Sequence, residues 1–402
     1  MSRMIGNVGM LDLTQATEES VTSIERIGNV GLVIYRAESA HLLMQLKNAG
    51  NIGKTLEIPE GHRYYSGTLR LDEEYFQLLE QPDRVFVNGT VIIDKEVSLE
   101  AFQNSTLHLV VNGEVYAHRH LAGAVTAALI KAGGASAEIY AYEYEPRFES
   151  GKVQLNNAYL ASSNEPMDLV FNGMVHLDKE LDMEQFTARI ESIRVNGKAV
   201  IHEHQSPYFY DKLKTINGLV EVIPAGFEYV TKPLRLNGRT VRRFKGHKFY
   251  TKQPLIIEAD VSRDAFSQAV SEIQSTSFII CSEEIEDLVW ERCPSLNTEI
   301  ISYERLFVFI HGEETWSRDQ LLALEQPANF IVDGTLTLDE DVTEEDIKAS
   351  VSSLDLFGEV VVGEKRIKGI LYPYLRANNG SIIVKGTEDE LAGIGNVGML
   401  SL

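Results

Sequence analysis

The chain has 402 residues, of which 44% are hydrophobic, so it is long enough to bury a large core. Its formal net charge of −22 repels phosphate backbones and anionic membranes, and we therefore expect neither a nucleic-acid partner nor a membrane. Two cysteines (Cys281 and Cys293) cannot form a disulfide framework, and no segment reads as a signal peptide or as the ~20 apolar residues of a membrane helix, which together predict a cytoplasmic protein.

The chain opens on Ile-Gly-Asn-Val-Gly-Met at residues 5–10, and the same six residues return at 394–399. The opening residues belong to one of five similar 16-residue segments, so the first hexapeptide is the opening strand of a repeat of about eighty residues. Four segments carry an equivalent acid, one repeat after another: Asp94, Asp178, Glu258 and Asp339. The five segments are 6–21, 87–102, 171–186, 251–266 and 332–347.

Each segment predicts a strand, a turn and a short helix. Apolar residues alternate at its start, as in a half-buried strand, and Asn-Gly then indicates a turn. A Ser, Thr or Asp follows, with an acid two residues later, which is typical of a helix start because both groups favour the free amides there. The predicted helix-start residues are Thr17, Ser98, Asp182, Ser262 and Thr343.

The rest of each repeat predicts further strands. The segments 107–120 and 190–204 resemble each other, and they place Asn112 and Asn196 at equivalent positions of successive repeats. A longer helix is predicted at 121–134, ending at glycines suited to a left-handed cap. Four more strands are predicted in the last thirds of the repeats, at KTLEIP, SAEIYAYEYE, GLVEVIP and TEIISYERLFVF.

These patterns predict an α/β repeat solenoid in which stacked short strands form one elongated sheet, covered by short helices and loops. Each repeat is expected to hold roughly three rungs of about 27 residues. We predict a single elongated domain over residues 1–402. Its predicted repeats are 5–84, 85–168, 169–250, 251–329 and 330–393, with a terminal strand at 394–402.

The strand pattern resembles that of leucine-rich-repeat proteins. Leu107, Leu109 and Asn112 fit the family's Leu-x-Leu-x-x-Asn spacing, although the apolar residue expected two positions after the asparagine falls three after it. The resemblance implies a curved solenoid used for binding, and no family-specific activity. It also implies a buried asparagine ladder formed by Asn88, Asn172, Asn196 and Asn237.

Two His-x-His pairs occupy the same frame of successive repeats: His118 with His120, and His202 with His204. Residues two apart on a strand share a face, so each pair could present two imidazoles together. Three rungs would separate the pairs by ~14 Å, which excludes one four-histidine site. A two-histidine metal site with a carboxylate and inherited surface positions both remain open, and we expect no cofactor.

A basic stretch at residues 235–252 interrupts this acidic chain and contains no Asp or Glu. Three interpretations are open: a docking patch for an acidic partner or anion, a nucleic-acid contact, and neutralisation of neighbouring acids. The docking patch is the strongest functional lead. Its predicted binding residues are Arg235, Arg239, Arg242, Arg243, Lys245 and Lys248.

Catalytic patterns are absent from the sequence. It contains no G-x-S-x-G, P-loop, HExxH or G-x-G-x-x-G motif. The repeated acids would lie too far apart for the paired carboxylates of glycoside cleavage, so we interpret them as turn residues. Tyr140, Tyr142 and Tyr144 should share a strand face, as a ligand-stacking platform or as cross-strand packing.

The sequence therefore favours a non-enzymatic repeat scaffold that binds a protein partner through its extended face. The alternative is a self-assembling protein that dimerises or polymerises through exposed edges of its terminal strands. The residues predicted to carry assembly are Ile5, Val8, Ile394 and Val397. A carbohydrate-active enzyme of the β-helix kind is the third possibility.

Overall fold

A computed structural model describes residues 3–46, 49–79, 81–132, 137–385 and 397–402, with only the backbone described at 3 and 4. The chain divides into two compact units. Unit 1 comprises Met1–Val222 and Gly393–Leu402, and unit 2 comprises Ile223–Ala392. In the described part of the chain, no helix has the length and apolar composition needed to cross a bilayer.

Unit 1 is built from strands joined by short helices. Its strands along the first part of the chain are β1 Arg3–Ile5, β2 Val8–Asp12, β3 Ile24–Ile27, β4 Val30–Tyr35, β5 Ile52–Glu57, β6 Arg63–Leu71, β7 Arg84–Ile93, β8 His108–His118, β9 Ala137–Tyr142, β10 Pro146–Leu155, β11 Met167–Leu177, β12 Ile190–His202 and β13 Leu213–Ile223. Its helices are α1 Glu18–Thr22, α2 Ala40–Leu43, α3 Glu73–Gln77, α4 Leu99–Asn104, α5 Ala122–Lys131, α6 Asn157–Leu160, α7 Met183–Arg189 and α8 Ser206–Lys212. Short 3-10 turns precede α2 and α8, at Ala37–Ser39 and Glu203–Gln205.

Unit 2 repeats this alternation with shorter strands. The strands are β14 Phe227–Val230, β15 Leu234–Leu236, β16 His247–Thr251, β17 Leu255–Ile257, β18 Val270–Ser275, β19 Phe278–Ser282, β20 Glu299–Tyr303, β21 Phe307–Ile310, β22 Glu313–Trp316, β23 Ala328–Val332, β24 Thr335–Leu338, β25 Val351–Leu356, β26 Glu359–Val362, β27 Leu375–Asn378 and β28 Ser381–Val384. The helices are α9 Arg263–Ala269, α10 Glu286–Arg292, α11 Arg318–Leu322, α12 Glu344–Ser350 and α13 Lys365–Leu371. The 3-10 turns are Thr240–Arg243, Glu283–Ile285 and Tyr372–Tyr374.

The strands group into five blocks of parallel strands. Apart from the pairing of β2 with Val397–Ser401, registered residues on neighbouring strands are separated in sequence by a single crossover, as in Leu234 with Leu255 and Val85 with Leu109. Block 1 is the sheet β29-β2-β4-β5 with the small sheet β1-β3, where β29 is the last strand, Val397–Ser401. Blocks 2 and 3 are the sheets β6-β7-β8-β9 and β10-β11-β12-β13. Block 4 contains β14-β16-β18 and β15-β17-β19-β20, and block 5 contains β21-β23-β25-β27 and β22-β24-β26-β28.

The predicted short strands and short helices are therefore present, and the strands are parallel, but one continuous sheet with three rungs in each repeat is wrong. A full block holds four rungs separated by three helical crossovers; each rung is one strand in blocks 2 and 3, and most rungs of blocks 4 and 5 are divided into two shorter strands. Between blocks the link is too short for a helix: β9 ends at Tyr142 and β10 begins at Pro146. The chain therefore starts a new sheet there, and a full repeat contains a fourth rung.

Asn-Gly pairs mark a stacked corner in the long strands. Asn88 pairs in register with Asn112, and Gly89 with Gly113. Gly89 and Gly113 have φ of 147° and 143°, and a Cβ on Gly113 would collide with the carbonyl oxygen of Gly89. Only glycine combines this backbone conformation with so close an approach of two chains, which explains why glycine follows the asparagine at each corner.

Each block has its own apolar core between its strands and helices, as with Phe186 and Phe209 in block 3, which are fully buried. Neighbouring blocks within a unit also pack through the outward residues of their sheets. Tyr116 of block 2 meets Phe148 of block 3, with ring centroids 5.2 Å apart. In unit 2, Phe278 of block 4 similarly stacks on block 5.

All five predicted helix-start residues are confirmed as N-caps, because each side-chain oxygen accepts a hydrogen bond from an amide of the first helical turn. Helix α5 is also present within the predicted range, at Ala122–Lys131. The glycines predicted to end it, Gly133 and Gly134, lie outside the described residues.

The chain end lies beside the chain start. Strand β2 is paired on both sides: Val8 is in register with Val30 of β4 and with Val397 of β29. The prediction that the opening strand has a neighbour on one side only is therefore wrong for Val8, because the same chain covers that edge. Ile5 lies in β1, which pairs with β3, and Ile394 lies outside the described residues.

Candidate docking surface on block 4

The predicted basic stretch forms the first crossover of block 4, between β15 and β16. Its backbone is fixed by Asn237, whose side-chain oxygen accepts hydrogen bonds from the amides of Arg239 (3.0 Å) and Thr240 (2.8 Å). The 3-10 turn Thr240–Arg243 follows, and its Val241 side chain is fully buried in the block core. A capped turn with a buried anchor holds its remaining side chains outward on a defined backbone.

Four cations of this crossover are exposed: Arg239, Arg242, Arg243 and Lys245. We call these four residues the basic cluster. None of them forms an ion pair with any residue that the structure describes. Acidic side chains are abundant in a chain with a net charge of −22, so a group of cations without acidic partners is unusual.

The other two predicted binding residues have partners within unit 2. Arg235 Nε lies 3.2 Å from Glu258 Oε1, and the guanidinium lies over the Phe307 ring at 5.8 Å. Lys248 Nζ donates to Glu272 Oε2 at 2.7 Å. These two cations neutralise neighbouring acids, so the predicted patch divides into a structural pair and the basic cluster.

Asn237 does not belong to the asparagine ladder, and that expectation is wrong. The ladder is formed within blocks: Asn112 Nδ2 donates to Asn88 Oδ1 at 2.6 Å, and Asn196 Nδ2 donates to Asn172 Oδ1 at 2.9 Å. Asn217 continues it at 2.9 Å and was missed from sequence. Its members are partly or fully exposed rather than buried, because they lie at the outer corner of the strands.

The repeated acids occupy equivalent turns of different blocks. The backbone carbonyl of Asp94 accepts from the amide three residues later, and those of Asp178, Glu258 and Asp339 do the same at 3.1 Å each. The carboxylates of the first three also contact the preceding rung, as Asp94 does with Arg70 Nε at 2.9 Å. Each acid thus has a structural role, and these four do not form a carboxylate pair.

The first His-x-His pair is a direct contact. His118 Nδ1 and His120 Nδ1 lie 2.6 Å apart, and His120 Nε2 lies 2.9 Å from the carbonyl oxygen of Val97. A carbonyl only accepts, so His120 donates from Nε2 to Val97. The backbone amide of His120 also donates to His118 Nδ1, at 3.5 Å.

The second His-x-His pair lies beside a third histidine that sequence reasoning missed. The His202 ring centroid is 6.2 Å from that of His176 and 6.0 Å from that of His204. Burial lowers the pKa of His202 and of His176 below the ordinary histidine range. Among the described residues, no group of three or more His, Cys, Asp or Glu has a geometry that could hold a metal ion.

The tyrosines of β9 pack between blocks 2 and 3. Tyr142 is fully buried and its hydroxyl donates to the carbonyl of Ile93 at 2.7 Å. The buried guanidinium of Arg194 lies 4.8 Å from the Tyr140 ring. These contacts are those of packing rather than of an open stacking platform, and Tyr144 lies in the link after β9.

A polar cavity in block 5 is lined by several acids and cations. Its lining acid Glu344 is paired with Lys348 at 2.6 Å and with Arg366 at 2.7 Å. Asp346 beside it is paired with Arg318 at 3.2 Å. Cations thus engage these two carboxylates, and Asp339, Glu340, Glu345 and Glu364 also line the cavity.

No protein-family model, no curated protein and no solved structure matches this chain. Inference about function therefore depends on the geometry of the described residues.

Proposed function

We propose that this protein is a non-enzymatic scaffold of the α/β solenoid kind, and that its basic cluster docks an acidic segment of a partner protein. The observation that carries the proposal is the set of four exposed cations without ion pairs, among the described residues, in one crossover around the 3-10 turn Thr240–Arg243. Arginine forms two parallel hydrogen bonds with a carboxylate, so three arginines favour a segment rich in Asp and Glu.

Charge favours a short acidic segment over a nucleic acid. Exposed charges are screened beyond a Debye length of about 8 Å at physiological ionic strength, so a short segment experiences chiefly the cluster itself. A nucleic acid extends well beyond that distance and would meet the surrounding acidic surface of a chain with a net charge of −22. The partner we propose is therefore a protein segment.

The crossover is also organised for binding before a partner arrives. Asn237 and the buried Val241 fix the backbone from which Arg239, Arg242 and Arg243 extend. Binding on a fixed backbone avoids the entropy of ordering a loop, and only the side chains lose freedom. The affinity then depends on electrostatics and should fall as salt rises.

The test is a charge reversal of the cluster. The variant carries Arg239→Glu, Arg242→Glu and Arg243→Glu, and binding of a fluorescent peptide rich in Glu and Asp is measured by anisotropy at low and physiological salt. We expect the variant to bind at least ~10-fold more weakly, a loss of about 1.4 kcal/mol or more. Its melting temperature should change little, since surface substitutions alter stability by ~0.5 kcal/mol or less each.

A matched control reverses three dispersed cations that are exposed and form no ion pair in the described structure, through Lys131→Glu, Lys152→Glu and Arg305→Glu. This control changes the net charge equally without touching the cluster. Equal weakening in both variants would show that only net charge matters and would overturn the docking site. Early melting of the cluster variant would show that the arginines neutralise internal acids, which also contradicts the proposal.

A further inference from the structure

On the side away from β4, strand β2 presents a sheet edge, and its inward side chains belong to the buried core of block 1. Val8, Leu11 and Leu13 turn inward and are almost completely buried. Strand β29 covers this edge: the amide of Val397 donates to the carbonyl of Asn7 at 2.9 Å, and the amide of Leu402 donates to the carbonyl of Asp12 at 3.1 Å. Without a strand there, a row of backbone groups and one side of an apolar core would face water.

The covering strand repeats the sequence of the strand that it covers. Val397, Met399 and Leu400 lie in register with Val8, Met10 and Leu11. Like residues therefore stack on like residues, and the Gly398 and Gly9 backbones approach so closely that a Cβ on Gly9 would lie 2.6 Å from the Gly398 carbonyl oxygen. In the described part of the two hexapeptides, identical residues therefore lie side by side on β29 and on the β2 edge that it covers.

Strand β29 is attached to its block in a different way from the first strands of blocks 2 to 5. Those strands continue into a crossover that packs on their own block, whereas β29 reaches block 1 from the other end of the sequence. It spans five residues and, in the part of the chain that the structure describes, β2 is its single strand neighbour. Gly398, Met399 and Ser401 are exposed, and Leu400 and Leu402 are partly buried against the core.

We propose that the edge of β2 is a strand-acceptor site, and that the segment Val397–Leu402 of a second copy of this chain can occupy it in place of the chain's own. The exchange replaces each hydrogen bond and each apolar contact by an identical one, so it changes no interaction within block 1. A short strand with a single strand neighbour among the described residues and with exposed positions is also among the first elements to open. Reciprocal exchange produces dimers, and successive exchange produces longer chains.

Mixed cysteine variants test the exchange. Met10→Cys and Met399→Cys are placed in separate chains that carry tags of different mass, because these positions are in register on neighbouring strands. The two proteins are incubated together at high concentration, oxidised mildly, and separated without reductant. We expect a covalent heterodimer with one chain of each type, and we expect a single chain carrying both substitutions to form a disulfide within itself as well.

Two further measurements separate exchange from chance collision or altered folding. Met44→Cys, exposed on the same block, replaces Met10→Cys as a matched control for random cross-linking. A second registered pair, Asp12→Cys with Ser401→Cys, repeats the test at another position. A heterodimer yield above the control in either pair supports exchange. Yields no higher than the control in both pairs overturn it, whether or not the doubly substituted chain closes its own disulfide.

Discussion

The first crossovers of blocks 2 and 4 attach to their blocks through equivalent residues, but they differ in charge. Both follow Leu-Arg-Leu, at residues 69–71 and 234–236, and both arginines contact the acid at the turn of the next strand. Arg70 Nε lies 2.9 Å from Asp94, and Arg235 Nε lies 3.2 Å from Glu258. The two crossovers thus attach to their blocks through the same pair of side chains.

After Leu-Arg-Leu, the two crossovers have equivalent side chains at their buried positions and different side chains at their exposed positions. Asp72 caps α3 by accepting from the Tyr75 amide at 2.8 Å, and the equivalent Asn237 caps the 3-10 turn. Phe76 and Val241 are the buried anchors. At the exposed positions, Glu74, Gln77 and Leu78 in block 2 correspond to the three arginines in block 4. The comparison shows that the two crossovers share their polar acceptor and buried anchor, while their exposed positions differ in charge.

The largest effect is expected at the stacked glycine corner of block 2, in the strands next to its first crossover. Gly113→Ala places a Cβ against the carbonyl of Gly89 at a φ of 143°, so we expect a loss of about 3 kcal/mol or more in the free energy of unfolding. Gly123→Ala in α5 is the control, because its Cβ meets no atom within 4 Å, and it should be neutral or stabilising by up to ~1 kcal/mol. Denaturant titration of both variants checks this, and equal stability would contradict a strained corner.

A middle-sized effect is expected from the two caps. Asp72→Ala and Asn237→Ala each remove a side-chain acceptor from the first turn of a crossover, which typically costs ~1 kcal/mol. Thermal unfolding of each variant measures the loss. If one substitution leaves the melting temperature unchanged while the other lowers it, the two residues are not equivalent in the two crossovers, which contradicts the comparison.

The smallest effect on stability is expected when the outward positions are exchanged. Glu74→Arg, Gln77→Arg and Leu78→Arg copy the arginine cluster of block 4 onto α3, and Glu73 is retained because its carboxylate accepts from the Ser98 amide at 2.9 Å. We expect a change within ~0.5 kcal/mol per site and a several-fold gain in affinity for the acidic peptide. Anisotropy titration checks the gain. If affinity stays unchanged, the geometry of the block 4 crossover matters as well as its charge.

Local patterns predicted the elements well, because each depends on neighbouring residues. Ser98 and Thr343 were identifiable as caps from their own side chains and the acids that follow them. The number of rungs in a block was not, since β10 follows β9 after three residues with no helix to mark a new strand, and only β9 was predicted. Asn237 was misassigned because Asn-Gly serves both as a strand corner and as a cap.

Long-range pairing was beyond the reach of the sequence. The basic stretch was visible as a run of cations, yet only the fold shows that Glu258 and Glu272 engage two of them. The identity of the terminal hexapeptides was also visible, but a repeated sequence does not say which strand its second copy joins. His176 was missed because it lies far along the chain from the pair that it approaches.

The asparagine corners have a consequence for the chemical ageing of the protein. In an Asn-Gly sequence the glycine nitrogen can attack the side-chain amide, and hydrolysis then leaves a carboxylate in its place. In the ladder, the Nδ2 atoms of Asn112, Asn196 and Asn217 each donate to the Oδ1 of the asparagine in the previous rung. A carboxylate only accepts, so one deamidated rung loses its donated bond and brings a negative charge against the neighbouring amide oxygen. We expect deamidation to damage such a molecule first at its outer corners, where the ladder is exposed to water, while its apolar cores are still intact.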